Sequence, residues 1–113
     1  MHIERPRARR YPFVARIELT DVRSEDQTRE RTSDLSLFGC HVDTLKPLPT
    51  GTRVRVRLAH RGANFVALGT VVYAGANARM GVAFTKIEQK EQVVLEKWID
   101  ELRDVEEKRS QVH

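Results

Sequence analysis

With 113 residues, 40% of them hydrophobic and 32% charged, the chain is the size of one domain and can bury a core, which excludes a wholly disordered protein. Its single cysteine, Cys40, excludes an intrachain disulfide and a cysteine-based zinc site, and four scattered histidines exclude a local metal box. The formal net charge of +4 is uneven: residues 1–87 hold fifteen Lys/Arg against eight Asp/Glu, or +7, and residues 88–113 hold five against eight, or −3.

Residues 1–12 read as an arginine-rich flexible arm, with Arg5, Arg7, Arg9 and Arg10 inside six positions. The opening MHIERPRARRYPF has no apolar leader core, and no later run approaches the roughly eighteen apolar residues of a membrane span. A soluble cytoplasmic protein without membrane insertion is expected. Arginine presents a planar fork of donors that matches phosphate oxygens or the O6/N7 edge of guanine. The arm therefore points to an anionic partner, a purine-bearing one among the options, and a generic polyanion grip stands level with it.

Phe13 to Thr20 predicts a first strand, with Ala15, Ile17 and Leu19 on one face and Val14, Arg16, Glu18 and Thr20 on the other. Val22 to Gln27 reads as a turn and Thr28 to Ser33 as the returning strand. Asp34 to Gly39 (DLSLFG) breaks the periodicity and reads as an exposed loop, before a short strand from Cys40 to Thr44. Lys46 to Gly51 (KPLPTG) is a turn on its Pro and Gly content. Thr52 to Ala59 alternates Val54, Val56 and Leu58 with Arg53, Arg55 and Arg57, one face core and the other solvent. After an Arg61-Gly62 turn, NFVALGTVVYAG is apolar on both faces and predicts a long strand bent at Gly69. Met80 to Thr85 (MGVAFT) follows a turn at Asn77 to Arg79. Six or seven short strands over residues 13–87 predict a small antiparallel barrel. From Glu88 the period changes, and Val94, Leu95, Trp98, Ile99, Leu102 and Val105 mark one stripe of a helix over 88–107 that packs on the barrel, a dimer seam being the lesser alternative, with a frayed tail at 108–113.

The chain shows no nucleophile elbow, phosphate loop or zinc-protease motif, so no enzyme is expected. Cys40 and His41 are neighbours on a predicted strand and point to opposite faces, which prevents a thiolate pair and leaves Cys40 as a small core residue.

An arginine arm, the loop Asp34-x-Ser36-x-x-Gly39, the strand MGVAFT and a closing amphipathic helix occur in that order from Glu4 to about Leu102. In this the chain resembles the PilZ domain, the bacterial receptor module for cyclic di-GMP, whose motifs are RxxxR and [D/N]xSxxG. DLSLFGC fits the second motif throughout. The first has two registers: Arg5 and Arg9 satisfy RxxxR literally, whereas Arg10 stands before the aromatic-proline pair Tyr11-Pro12, with Pro6 where the other arginine would fall.

The resemblance implies a mainly β fold, a six-stranded PilZ-like β-barrel with a C-terminal helix. It implies a cyclic di-GMP site drawn from Arg5, Arg9, Arg10, Asp34, Ser36 and Gly39, with no further cofactor. Arginine forks would take phosphate and guanine edges, Asp34 would accept from guanine N–H groups, Ser36 would donate or accept, and Gly39 would shape the loop. Asp34 and Ser36 also fit a plain Asx or Ser/Thr turn. The leading reading is a receptor whose arm orders over the ligand and signals to an effector protein yet to be identified. The alternative is a degenerate PilZ adaptor that binds protein and no nucleotide. A nucleic-acid module ranks below both, because the arginines of Thr52 to Ala59 have no interleaved aromatics for base stacking.

Overall fold

The computed structural model describes residues 8–75 and 78–111. Its elements in chain order are β1 (Tyr11–Pro12), β2 (Arg16–Asp21), β3 (Gln27–Leu35), β4 (Gly39–Asp43), β5 (Arg53–His60), β6 (Ala63–Gly75), β7 (Arg79–Lys86) and α1 (Gln89–Gln111). All pairings are antiparallel, in the order β3-β2-β5-β6-β7-β4, and β4 returns to β3 to close a six-stranded barrel. Closure leaves no long unpaired edge.

Period-two alternation fills the barrel. Ile17, Leu19, Val54, Val56, Leu58, Phe65 and Val71 are buried, while Arg53, Arg55 and Arg57 stand outside. Arg61 and Gly62 both take positive φ, which suits the tight reversal between β5 and β6. Gly69 marks the bend in β6. A Cβ there would sit 2.8 Å from the Ala83 carbonyl oxygen, and the register with β7 shifts between Leu68 and Gly69. Only glycine lets the two backbones approach so closely.

Several boundaries differ from the sequence reading. The first long strand begins at Arg16 instead of Phe13, because Phe13 to Ala15 is held by a side chain in place of a regular ladder. The buried Thr32 hydroxyl accepts from the Ala15 N–H at 3.0 Å and donates to the Phe13 carbonyl at 2.7 Å. Residues 1–12 were expected as one flexible arm, yet Tyr11 and Pro12 already pair with Leu35 and Asp34 of β3, and Tyr11 is buried. The helix continues to Gln111, past the frayed tail expected from 108.

Helix α1 lays Leu95, Trp98 and Ile99 on the barrel. Trp98 meets the rings of Phe13, His60 and Phe65 at centroid distances of 5.8, 5.4 and 6.3 Å. At the start of the helix, the Glu91 carboxylate accepts from the Val66 N–H at 2.9 Å.

His60 lies between Phe13, at 4.7 Å, and Trp98. Burial first, and then the Arg61 guanidinium, hold its imidazole below the ordinary 6.5, with Glu101 opposing in part. The unfolded chain therefore takes up the proton more readily than the folded one. The stability tied to neutral His60 is complete above pH 6.5 and is lost as the pH falls from there through the lower value of the folded state. Urea midpoints of wild type and His60→Gln at pH 7.5 and 5.5 should show a smaller acid loss in the variant. Equal losses would remove His60 from the account.

Candidate functional site

The pairing of β1 with the end of β3 decides where the arginines go. Tyr11 opposite Leu35 and Pro12 opposite Asp34 set the preceding residues beside the Ser36 to Gly39 loop. Neighbouring residues of an extended chain point to opposite sides. The Arg9 guanidinium lies 5.5 Å from the centroid of the Tyr11 ring and pairs with Glu106 on α1. Arg10 turns the other way, its Nη1 2.9 Å from His41 Nδ1 and 3.0 Å from Nε2. Of the two registers of the arginine motif, the one ending at Arg10 faces the loop. Arg5 and Arg7 lie outside the described residues.

The loop is closed by its own polar groups. Ser36 donates its N–H to the Gly39 carbonyl at 2.9 Å, and its hydroxyl accepts from the Phe38 N–H at 3.1 Å. Gly39 is fixed by packing: a Cβ there would lie 2.2 Å from the Val82 carbonyl oxygen, so the pairing of β4 with β7 requires glycine. Its role is to bring the strands together, and the approach of a ligand to its backbone is not needed to explain it.

Asp34 belongs to β3, where the sequence suggested an exposed loop. One carboxylate oxygen accepts from the His41 N–H at 3.0 Å and the other faces His41 Nδ1 at 2.8 Å, with only 20% of the side chain exposed. The tautomer with its proton on Nδ1 donates to Asp34, while Arg10 Nη1 lies nearly equidistant from the two ring nitrogens. Removing this carboxylate would therefore disturb the strand as well as the pocket.

Arg10, Ser36, Phe38, His41 and Tyr73 line an open cleft of ≈ 390 Å³ over Gly81 and Val82 of β7. Asp34 is absent from this lining and stands behind His41. Phe38, Val72 and Tyr73 are 55%, 55% and 44% exposed, an apolar margin beside the arginine. Below the cleft, burial and then the Asp34 carboxylate push the Cys40 thiol up to about 12, which keeps it protonated and unreactive.

His41 and Tyr73 escaped the sequence reading as site residues. Strict alternation sends Tyr73 inward with Val71. The register shift between Val71 and Tyr73 reverses that parity and turns the ring outward over Gly81, its centroid 6.0 Å from that of the His41 ring in a T-shaped contact. No residue pattern announces this bulge. His41 and Cys40 do point to opposite faces, and the partners of His41 come from β3 and from the arm.

A closed small barrel that brings an arginine, a histidine and exposed aromatic rings to one cleft has the form of a binding module. The chain belongs to the PilZ domain family, whose model matches residues 4–101. Among solved structures it is similar to the PilZ domain of YcgR from Escherichia coli with c-di-GMP, at 19% identity over 97% of this chain and 100% of that one, with a TM-score of 0.70. It is also similar to the PilZ domain of CeSA from a cellulose-synthesising bacterium, at 21% identity over 87% and 98% of the two chains and a TM-score of 0.66. The Bacillus subtilis inhibitor of motility MotI/DgrA is 16% identical, with 85% of this chain and 49% of that one covered and a TM-score of 0.65. At these identities the likeness shows the fold. No curated protein matches the chain. PilZ domains are receptor or adaptor domains, and no helix among the described residues is long and apolar enough to cross a membrane.

Proposed function

We propose that this chain is a receptor for cyclic di-GMP, which it takes in the cleft between Arg10 and the Ser36 to Gly39 loop, and that it passes the change to an effector protein. The observation that carries the reading is the placement of Arg10. Its fork reaches the cleft mouth beside His41, where a phosphate or the O6/N7 edge of guanine could take both donors. Tyr73 and Phe38 supply faces on which a purine can stack. Asp34 supports the site from behind, through His41. Residues ahead of Arg10, Arg5 among them, close over the ligand and change the surface beside the barrel, which is what a partner would read.

One observation favours the adaptor reading: Arg9 is engaged by Glu106 on α1 and Ser36 by its own loop, so two residues expected at the ligand have partners already. Calorimetry separates the two. Cyclic di-GMP is expected to bind, and GMP far more weakly, because it carries one guanine and one phosphate. No heat and no shift in melting temperature at millimolar cyclic di-GMP would leave the adaptor reading in its place.

A further inference from the structure

We propose that His41, positioned by Asp34, is a proton-coupled contact of this cleft: an anionic ligand binds together with a proton on His41 Nε2, so that affinity falls as the pH rises. The proposal rests on the receptor reading and adds a group and a regulation to it. His41 lines the cleft beside Arg10, and the Asp34 carboxylate, outside the lining, holds its Nδ1 side.

The groups around the imidazole come from every neighbouring element. Asp34 on β3 receives Nδ1–H at 2.8 Å. Arg10, ahead of β1, places Nη1 2.9 Å from Nδ1 and 3.0 Å from Nε2. Tyr73 on β6 presents its ring at 6.0 Å, and the register partner on β7 is Gly81, which brings no charge. Cys40 lies on the opposite face of β4 with its thiol protonated.

In the free site the Asp34 carboxylate faces Nδ1, and the Arg10 fork lies against both ring nitrogens. An arriving phosphodiester draws that fork away from the ring and places an anionic oxygen where a proton on Nε2 can be donated to it. The proton comes from solvent, Nδ1–H stays on Asp34, and two like charges 3 Å apart become two donors to one anion. Phosphodiesters and guanine do not change charge between pH 6 and 8, so a proton taken up on binding in that window belongs to the protein. Linkage makes it reciprocal: the ligand strengthens the proton's binding as the proton strengthens the ligand's.

The test is calorimetry of cyclic di-GMP at pH 6, 7 and 8, each in two buffers of different ionisation enthalpy. Wild type should take up a fraction of a proton at pH 7, and its affinity should fall on the order of fivefold from pH 6 to pH 8. His41→Gln keeps a donor and an acceptor but cannot titrate, so it should bind with the same affinity at all three pH values and without proton uptake. Asp34→Asn should reduce the uptake. Nitrogen-15 spectra of the ligand-free protein should show the Nδ1–H tautomer of His41, lost in Asp34→Asn. Binding by wild type without proton uptake, or an unchanged pH dependence in His41→Gln, overturns the proposal and spares the receptor reading. No binding of cyclic di-GMP at any pH overturns the receptor reading and the coupling together, whichever tautomer is seen.

Discussion

Replacement of Trp98 by alanine should lower the unfolding free energy by about 3–5 kcal/mol, the usual loss when a buried indole leaves a cavity. The side chain is 4% exposed, and its ring meets Phe13, His60 and Phe65. Those contacts tie three separate parts of the chain to α1: the segment after β1, the end of β5 and the start of β6. A domain of this size has about 5–15 kcal/mol in total, so the variant should stand near the edge of folding. Trp98→Phe, which leaves a smaller void, should keep most of the stability and report the site even where alanine prevents purification. Urea unfolding by far-ultraviolet circular dichroism measures both. A loss below about 1 kcal/mol for Trp98→Ala would mean that the apolar stripe does not hold the helix to the barrel.

Arg10→Ala should weaken cyclic di-GMP binding by about 2–3 kcal/mol, or roughly 30- to 150-fold, the value of charge-assisted hydrogen bonds to an anion. Arg10→Lys keeps the charge and loses the fork, so most of that deficit should persist. Arg9→Lys is the control that gives the experiment its meaning. Arg9 points to Glu106, both side chains are exposed, and such pairs contribute little. Its replacement should change binding by no more than a few-fold. If the arm were a generic polyanion grip, the two arginines would be interchangeable, and affinity would collapse with salt for both variants alike. Equal effects at positions 9 and 10 in titration calorimetry at low and high salt would remove the specific role given to Arg10.

The two variants differ because of a pairing that no local pattern encodes. Arg9 and Arg10 are chemically identical neighbours, and both registers of RxxxR are readable in the sequence. Which of the two arginines faces the Ser36 loop is set where Tyr11 and Pro12 join β3. Asp34 shows the same dependence. Its motif is legible as letters, but its placement on a strand, with both oxygens directed to His41, follows from the register of β3 against β4.

The sequence alone determined the elements whose causes are local. Alternation at Val54, Val56 and Leu58 specifies a half-buried strand, Gly69 a bend, Arg61-Gly62 a reversal, and the spacing of Leu95, Trp98 and Ile99 one face of a helix. Each follows from periods of 2.0 and 3.6 residues or from backbone freedom at glycine, which act over a few positions. The order of the arginine arm, DLSLFG, MGVAFT and the helix was enough to indicate the family. Only the tertiary structure decided the cleft. Thr32 filling the gap after β1, the bulge that turns Tyr73 outward and the meeting of Arg10, His41 and Asp34 join residues up to 31 positions apart. Such contacts are set by barrel closure and strand register, which depend on every strand at once and on no single stretch of sequence.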